Sequence, residues 1–579
     1  MKMKDRNAQL RTALGGLATP QRIKEAANIP ATDTVNRSGR AAYSLPDELR
    51  LIALLNTSKI TSQAYRSENE VMTELRDLIE RIGMVNPYFV AQAIVYSRCL
   101  GEGMRSINHL AATIAAPFVA GWPWAKAFYG AFDKNAKMGG TIFRLDDMNE
   151  IKNAWSALNP KNANHMLSLP NAMKKGFASV LENADANLLA KYKSTVIDIS
   201  NLVHPSIKKA KATVNINGKE MKVIDAIMKG YPVVADTHET ANSEAGQLVA
   251  KAVKDGKLTK DEAEKVLADA KNDNWESLLN DGKLGMLAAF RNIRNIMKNP
   301  RKSVIDKWCK LITDTNKIRK SLINPMHIDL AYEIVMNEFA NADYSPVVQK
   351  ALLDAYEKSV PNLAAALPGK TCVIVDCSGS MGSYEVSIDN NKPSYSFYYR
   401  DSSYRKTKTC AYKAGLIAAT IVKATGGDVI KFGDYANYFN YTKNKNVFGI
   451  AEEIGTANFG CTRPEKAWEL MTREHKMYDR VIFISDNENN GRVHTAYSYK
   501  DYITRVCSPY VYAIDLACYG TTPYKNTGKV NYYYGYGFAM FDDIAHLEFN
   551  PNAHIDKVRK IVIDPTYTPT PEDLGKSNN

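Results

Sequence analysis

The chain has 579 residues, well beyond one domain of about 100–200, so two or more hydrophobic cores are expected. With 45% hydrophobic and 24% charged residues its composition is that of an ordinary soluble protein. No run approaches the roughly 20 apolar residues of a membrane span, and the polar start Met1-Lys2-Met3-Lys4 lacks the apolar region of a signal peptide, so a cytoplasmic location and no membrane partner are expected. The eight cysteines are scattered without a C-x-x-C pair, which argues against a disulfide framework or a zinc cage and for reduced, packed thiols. The net charge of +13 is unevenly placed: residues 1–370 hold 51 Lys and Arg against 39 Asp and Glu, and residues 371–579 hold 24 against 23.

Residues 1–43 are polar, with turn signals at Gly15-Gly16 and Asn36–Gly39, and read as an N-terminal arm. Helical signals begin at Ser44-Leu45-Pro46-Asp47, a capping hydroxyl before a first-turn proline and an acid. Val71, Leu75, Leu78, Ile79 and Ile82 then repeat at helical spacing, and Asn86-Pro87 separates them from a second apolar helix over 88–100. Further helices are expected at 107–118, 122–131, 147–157, 169–182 and 184–194, and from the capping box Thr259-Lys260-Asp261-Glu262 to about Ala270. Others follow at 275–280, 283–298, 303–320, 328–340 and 345–359, with one hairpin over 212–223. Residues 44–368 therefore read as an all-α array of helix pairs.

Beyond Pro368 the pattern alternates. Strands are expected at 371–376, 428–433, 436–441, 480–485, 509–516 and 529–535, and helices at 410–424, 463–473, 498–505 and 538–547. Such alternation means an α/β doubly wound sheet with helices on both faces, here over 369–564, with an insertion rich in Tyr, Ser and Asn at 382–409. The tail 565–579, rich in Pro and Thr, is expected to be disordered. The run Thr371–Asp376 ends in a carboxylate followed by hydroxyls at Ser378 and Ser380. Ligands of open α/β sheets gather where parallel strands end, and three hard oxygen donors suit Mg²⁺ or Ca²⁺.

This D-x-S-x-S pattern resembles the metal-ion-dependent adhesion site (MIDAS) of von Willebrand factor A domains. The resemblance implies two further ligands from later loops, Thr462 in Gly460-Cys461-Thr462 and Asp486 after the apolar run 480–485, with Mg²⁺ as the ion. The helical part carries Tyr88–Arg98, Gly103-Met104-Arg105-Ser106, Leu189–Lys193, Leu202-Val203-His204-Pro205, Leu287–Ile296 and Ile323-Asn324-Pro325, which resemble the TROVE module. A TROVE module followed by an A-type domain is similar to the Ro ribonucleoprotein family. That likeness implies a monomeric ring of HEAT-like helical repeats closed by the A domain. It also implies binding of single-stranded ends of misfolded RNA and of small structured Y RNA in RNA quality control, without catalysis, and in bacterial relatives the tethering of an exoribonuclease.

Charges that could meet RNA fall in two groups. Arg291, Arg294 and Lys298 at i, i+3 and i+7 would share one face of a helix over 283–298; a solvated face is the alternative. Lys191, Lys193, His204, Lys208, Lys209 and Lys211 cluster around the Leu-Val-His-Pro turn, although a lone histidine is more often a helix-end or core residue. Arg105, after a glycine turn, either meets RNA or satisfies helix-end carbonyls. The competing reading is a metal-dependent protein-interaction scaffold with no RNA role. An enzyme is disfavoured, because Ser378 stands where a phosphatase using Asp376 would need an acid.

Overall fold

The computed structural model describes residues 31–57, 66–101, 104–159, 168–235, 238–255, 257–321, 323, 325–360, 363, 367–383, 409–455, 460–491, 494–525, 529–535, 540–541, 544, 553–571 and 573–574. Most of the insertion 382–409 and of the expected helix 538–547 lies outside them. By its contacts the chain forms two compact units, and the division cuts across the sequence order. Residues 1–82, 101–107 and 360–560 form an α/β unit, while 83–100, 108–359 and 561–579 form a helical unit.

All six expected strands of the α/β unit are present in one sheet. Its order is Val530–Tyr534, Tyr510–Asp515, Arg480–Ser485, Thr371–Asp376, Asp428–Phe432 and Ala436–Tyr438. The first five are parallel and the last is antiparallel. Thr371–Asp376 and Arg480–Ser485 are buried along their whole length, as an unbroken apolar run between two helical layers requires. The helix Cys410–Thr425 starts at a Thr409 side-chain cap and stops at Gly426, whose φ of +68° closes the last turn. It packs against Val447–Gly455, a helix not anticipated from the sequence. The two backbones meet at glycines: a Cβ on Gly415 would lie 2.5 Å from the Ala451 carbonyl oxygen.

The described part of the N-terminal arm, residues 31–43, belongs to this unit. Thr34–Val35 and Ala41–Ser44 pair as an antiparallel hairpin, and Ala41–Ser44 also pairs with Thr521–Thr522. The first helix, Asp47–Thr57, packs on the edge strand Val530–Tyr534.

In the helical unit the capping box is formed as expected, with the Thr259 hydroxyl and Glu262 carboxylate satisfying each other's backbone N–H. Its helix, however, runs unbroken over Lys260–Asn280, pinned by buried Trp275. It packs against His238–Lys254, a helix missing from the sequence reading. The hairpin Thr213–Ile216 with Lys219–Lys222 is present, turned by Asn217 and Gly218 at φ of +51° and +81°. Four expected helices are divided, that at 107–118 into Ser106–Ile114 and Ala116–Val119. The 184–194 helix becomes Ala186–Lys191 and Lys193–Val203; 303–320 becomes Lys302–Ile312 and Thr315–Ser321, the second opened by the Asp314 carboxylate on two backbone N–H groups. The 283–298 helix becomes Met286–Arg291 and Ile293–Ile296. Inside this unit Arg98 Nη2 donates to both carboxylate oxygens of buried Asp147 at 2.9 Å, and His109 lies 3.3 Å from the same carboxylate.

The tail corrects the expectation of disorder over 565–579 for its described residues, 565–571, 573 and 574. Asp573 accepts from Trp124 Nε1 at 2.9 Å, Tyr567 OH at 2.6 Å, and the Thr570 N–H and hydroxyl at 2.6 and 2.8 Å. Burial opposes its charge, but these four donors hold its carboxyl below the usual range.

Gly415→Ala should lower stability by about 1–3 kcal/mol, read by chemical denaturation, because the added methyl overlaps a backbone that cannot retreat. Asp573→Ala should speed hydrogen exchange over 565–571 and lower stability by about 1–3 kcal/mol, since Trp124 Nε1–H is left buried without an acceptor. Lowering the pH should act in the same direction: a carboxyl depressed in the folded state stabilises above its unfolded pKa and loses that contribution as pH falls through the folded one.

Candidate metal centre and nucleic-acid surface

The Thr371–Asp376 strand delivers Asp376 into the sheet interior, fully buried. Its Oδ1 accepts from Ser378 N–H at 2.9 Å, which curls the chain back, and its Oδ2 accepts from Ser485 Oγ at 2.5 Å on the neighbouring strand. The turn brings the Ser378 and Ser380 hydroxyls within 3.2 Å of each other, with Ser380 beside the Asp486 carboxyl, whose rise it opposes. The Thr462 loop is held from both sides. Gly379 N–H donates to the Gly460 carbonyl at 2.8 Å, while Thr462 and Asn490 exchange two bonds of 3.0 Å, Thr462 N–H to Asn490 Oδ1 and Asn490 N–H to the Thr462 carbonyl. Asp376, Ser378, Ser380, Thr462 and Asp486 thus sit on three loops tied to one another at the carboxyl ends of adjacent strands.

Electrostatics mark the centre. Burial, then the charge of Asp486, pushes the Asp376 carboxyl up to about 7. Burial likewise raises Asp486, whose Oδ2 is buried without a hydrogen-bond partner. Two desolvated carboxyls do not ionise side by side without a cation, and a bound divalent ion reverses that penalty. Hard oxygen donors and an unsatisfied carboxylate oxygen fit Mg²⁺. Among the described residues no group of three or more His, Cys, Asp or Glu side chains is placed to hold a metal, so this set depends on its hydroxyls.

The sequence reading missed two neighbouring carboxyls. Glu488 is pushed up to about 8 by burial and then by Asp486, and Asp515 is pushed up to about 6 by burial. Asp515 ends an apolar strand as Asp376 does, a signal that was there to be read; Glu488 lies in an Asn-rich loop with no such mark.

The basic residues divide differently from their sequence pattern. Lys191 and Lys193 flank the break at Tyr192. His204 has the left-handed φ of +49° that ends Lys193–Val203, and its side chain is exposed, so it is a helix-end residue on the surface. The segment after it is anchored by Glu182, whose carboxylate accepts from Ser206 N–H at 2.7 Å and whose carbonyl accepts from Lys211 N–H at 2.9 Å. That anchoring leaves Lys208, Lys209 and Lys211 exposed. With exposed Lys191 they form no ion pair among the described residues.

The stripe of Arg291, Arg294 and Lys298 needs correction. The helix breaks at Asn292, whose side-chain amide donates to the Ala288 carbonyl at 3.0 Å, and Lys298 lies past the second piece. Arg294 is engaged by Glu338 through contacts of 2.6, 2.8 and 2.9 Å. Arg105 is half-buried in the 101–107 segment of the α/β unit, apart from the other basic residues in the contact division. The sequence reading also passed over Lys317, Arg319 and Lys320, exposed around buried Ile318 on Thr315–Ser321.

No family model matches the chain, and no curated protein matches it. Among solved structures, the crystal structure of the Deinococcus radiodurans Ro (RSR) protein is similar over 87% of this chain and 99% of that chain, at 14% sequence identity and a TM-score of 0.47.

Metal removal gives a signed expectation. In chelator, the stability of the α/β unit should fall as pH rises from about 4 to about 7, because Asp376 holds its proton in the folded state and must lose it against burial. Asp376→Asn, always neutral, should lessen that decline, the remainder coming from Asp486, Glu488 and Asp515. In the unsubstituted protein Mg²⁺ should lessen it too, with a rise in Tm that grows with pH as protons cease to compete for the carboxyls.

Proposed function

We propose that the helical unit is a non-catalytic RNA-binding body of the Ro type, taking single-stranded ends of small or misfolded RNA. In this reading the A-type unit holds one Mg²⁺ ion through Asp376, Ser378, Ser380, Thr462 and Asp486. The observation that carries the RNA reading is the exposed set Lys191, Lys208, Lys209 and Lys211, which spends none of its charge on carboxylates among the described residues. Cations already paired must give up a partner before meeting phosphate, and among the described residues these have none to give up. The excess of basic residues lies in the part of the chain that carries them.

In this mechanism the lysines neutralise successive phosphates and release counterions, while the surface next to them, with exposed Ile197 and Ile207, gives unstacked bases an apolar contact. The ion would supply a Lewis-acidic position for a partner's carboxylate. Ser378, Ser380 and Thr462 would offer hydroxyl donors, and Asp376 and Asp486 the negative charge. The role in RNA quality control follows from the family resemblance in the sequence. A second reading, a metal-dependent protein scaffold without RNA, is favoured by the unsatisfied Asp486 Oδ2 alone.

Salt dependence separates the two. Each phosphate contact on a single strand releases about 0.7 counterion, so Lys208→Ala with Lys209→Ala should flatten the log–log slope of oligonucleotide affinity against salt by about 1.4. Arg294→Ala should leave it unchanged, because Glu338 already holds that guanidinium. Absence of salt-dependent RNA binding in the unsubstituted protein would leave the scaffold reading.

A further inference from the structure

The loop that follows Asp486 is tied residue by residue. Asn487 adopts a φ of +62°, a left-handed conformation that non-glycine residues rarely take, and its N–H donates to Ser485 Oγ at 3.0 Å. Asn490 is bonded to Thr462. The two residues between are held from elsewhere: Asn36 Nδ2 donates to the Asn489 carbonyl at 2.6 Å, and Ser38 donates to Glu488 Oε2 through its N–H at 3.2 Å and its hydroxyl at 3.3 Å. These partners are some 450 positions apart in sequence.

The hairpin that carries them is itself well anchored. Asn36 Oδ1 accepts from Arg40 N–H at 2.8 Å and closes the turn, in which Gly39 takes a φ of +74°. Ala41–Ser44 pairs with Thr521–Thr522, and buried Tyr43 meets His494 edge-on at 6.0 Å. Asp33 is bonded to Ser44 and Lys525. A rigid turn thus places three donors on two consecutive residues of the loop, one of them the buried carboxyl of Glu488.

We propose that the tip of the N-terminal hairpin is an outer shell of the cation site, with Asn36 and Ser38 acting as positioning residues that hold the 486–491 loop so that Asp486 faces Asp376, Ser378 and Ser380. This rests on the divalent-cation reading above. Outer-shell partners orient ligands and tune the affinity of a metal site without touching the ion. Here they would also make cation affinity depend on the docking of a segment remote in the chain.

The test is isothermal titration of the full chain with Mn²⁺ and with Mg²⁺. The unsubstituted protein should bind and Asp376→Ala should not. Asn36→Ala with Ser38→Ala should weaken binding by about tenfold or more. Ser38→Thr, which keeps the hydroxyl, should restore the affinity lost in Ser38→Ala. Hydrogen exchange of Ser38→Ala alone gives a second measure: faster exchange at the 486–491 amides, with the sheet protected, supports the assignment, and unchanged protection there overturns it. Full affinity in the folded double variant sinks the hairpin proposal alone. Absence of binding in the unsubstituted protein sinks the cation reading, and this proposal with it.

Discussion

The α/β unit is organised around a buried carboxyl at the end of a buried strand. Thr371–Asp376 is apolar enough to lie in the sheet interior with no solvent on either face, and its last residue therefore arrives desolvated. That carboxyl is unfavourable where it stands unless something offsets it. Two hydrogen bonds, from Ser378 N–H and Ser485 Oγ, offset part. The second carboxyl, Asp486, adds to the penalty rather than relieving it. Structure around this point follows from that constraint: serines at alternate positions, loops cross-tied by backbone bonds, and an oxygen facing inward without a donor.

Close approach elsewhere in the same unit serves this geometry. Gly415 and Gly455 let Cys410–Thr425 and Val447–Gly455 lie against each other at backbone distance. The Ser378 turn leads into Gly379–Ser383, which packs against Cys410–Thr425, so the position of that helix bears on where the hydroxyls sit. Cys377, at the head of the turn, donates its N–H to the Phe432 carbonyl on the next strand, fixing the point at which the chain leaves the sheet.

The helical unit follows a different logic, in which carboxylates decide which cations remain available. Glu338 takes Arg294, and Asp147 takes Arg98. Glu182, by contrast, uses its carboxylate and carbonyl on backbone N–H groups, which shapes the 206–211 segment and leaves its lysines without an ion pair among the described residues.

The sequence by itself determined the elements whose signal is local. Six strands stood out because a buried parallel strand must be a short apolar run between turn residues, and Thr259 with Glu262 announced a helix start because both halves of the box are three residues apart. Asp376, Ser378 and Ser380 were legible for the same reason, lying on one turn. Tertiary structure decided what depends on partners far along the chain. Periodicity could not show the break at Asn292, whose side-chain amide shares the Ala288 carbonyl with its own backbone N–H, or the ion pair that occupies Arg294 from 44 positions away. Nor could composition show that a Pro- and Thr-rich tail would be ordered by Trp124 through Asp573, or that Asn36 and Ser38 would hold the loop beyond Asp486. A hydrogen bond between residues hundreds of positions apart leaves no periodic trace in either segment, so only the folded chain brings such pairs together.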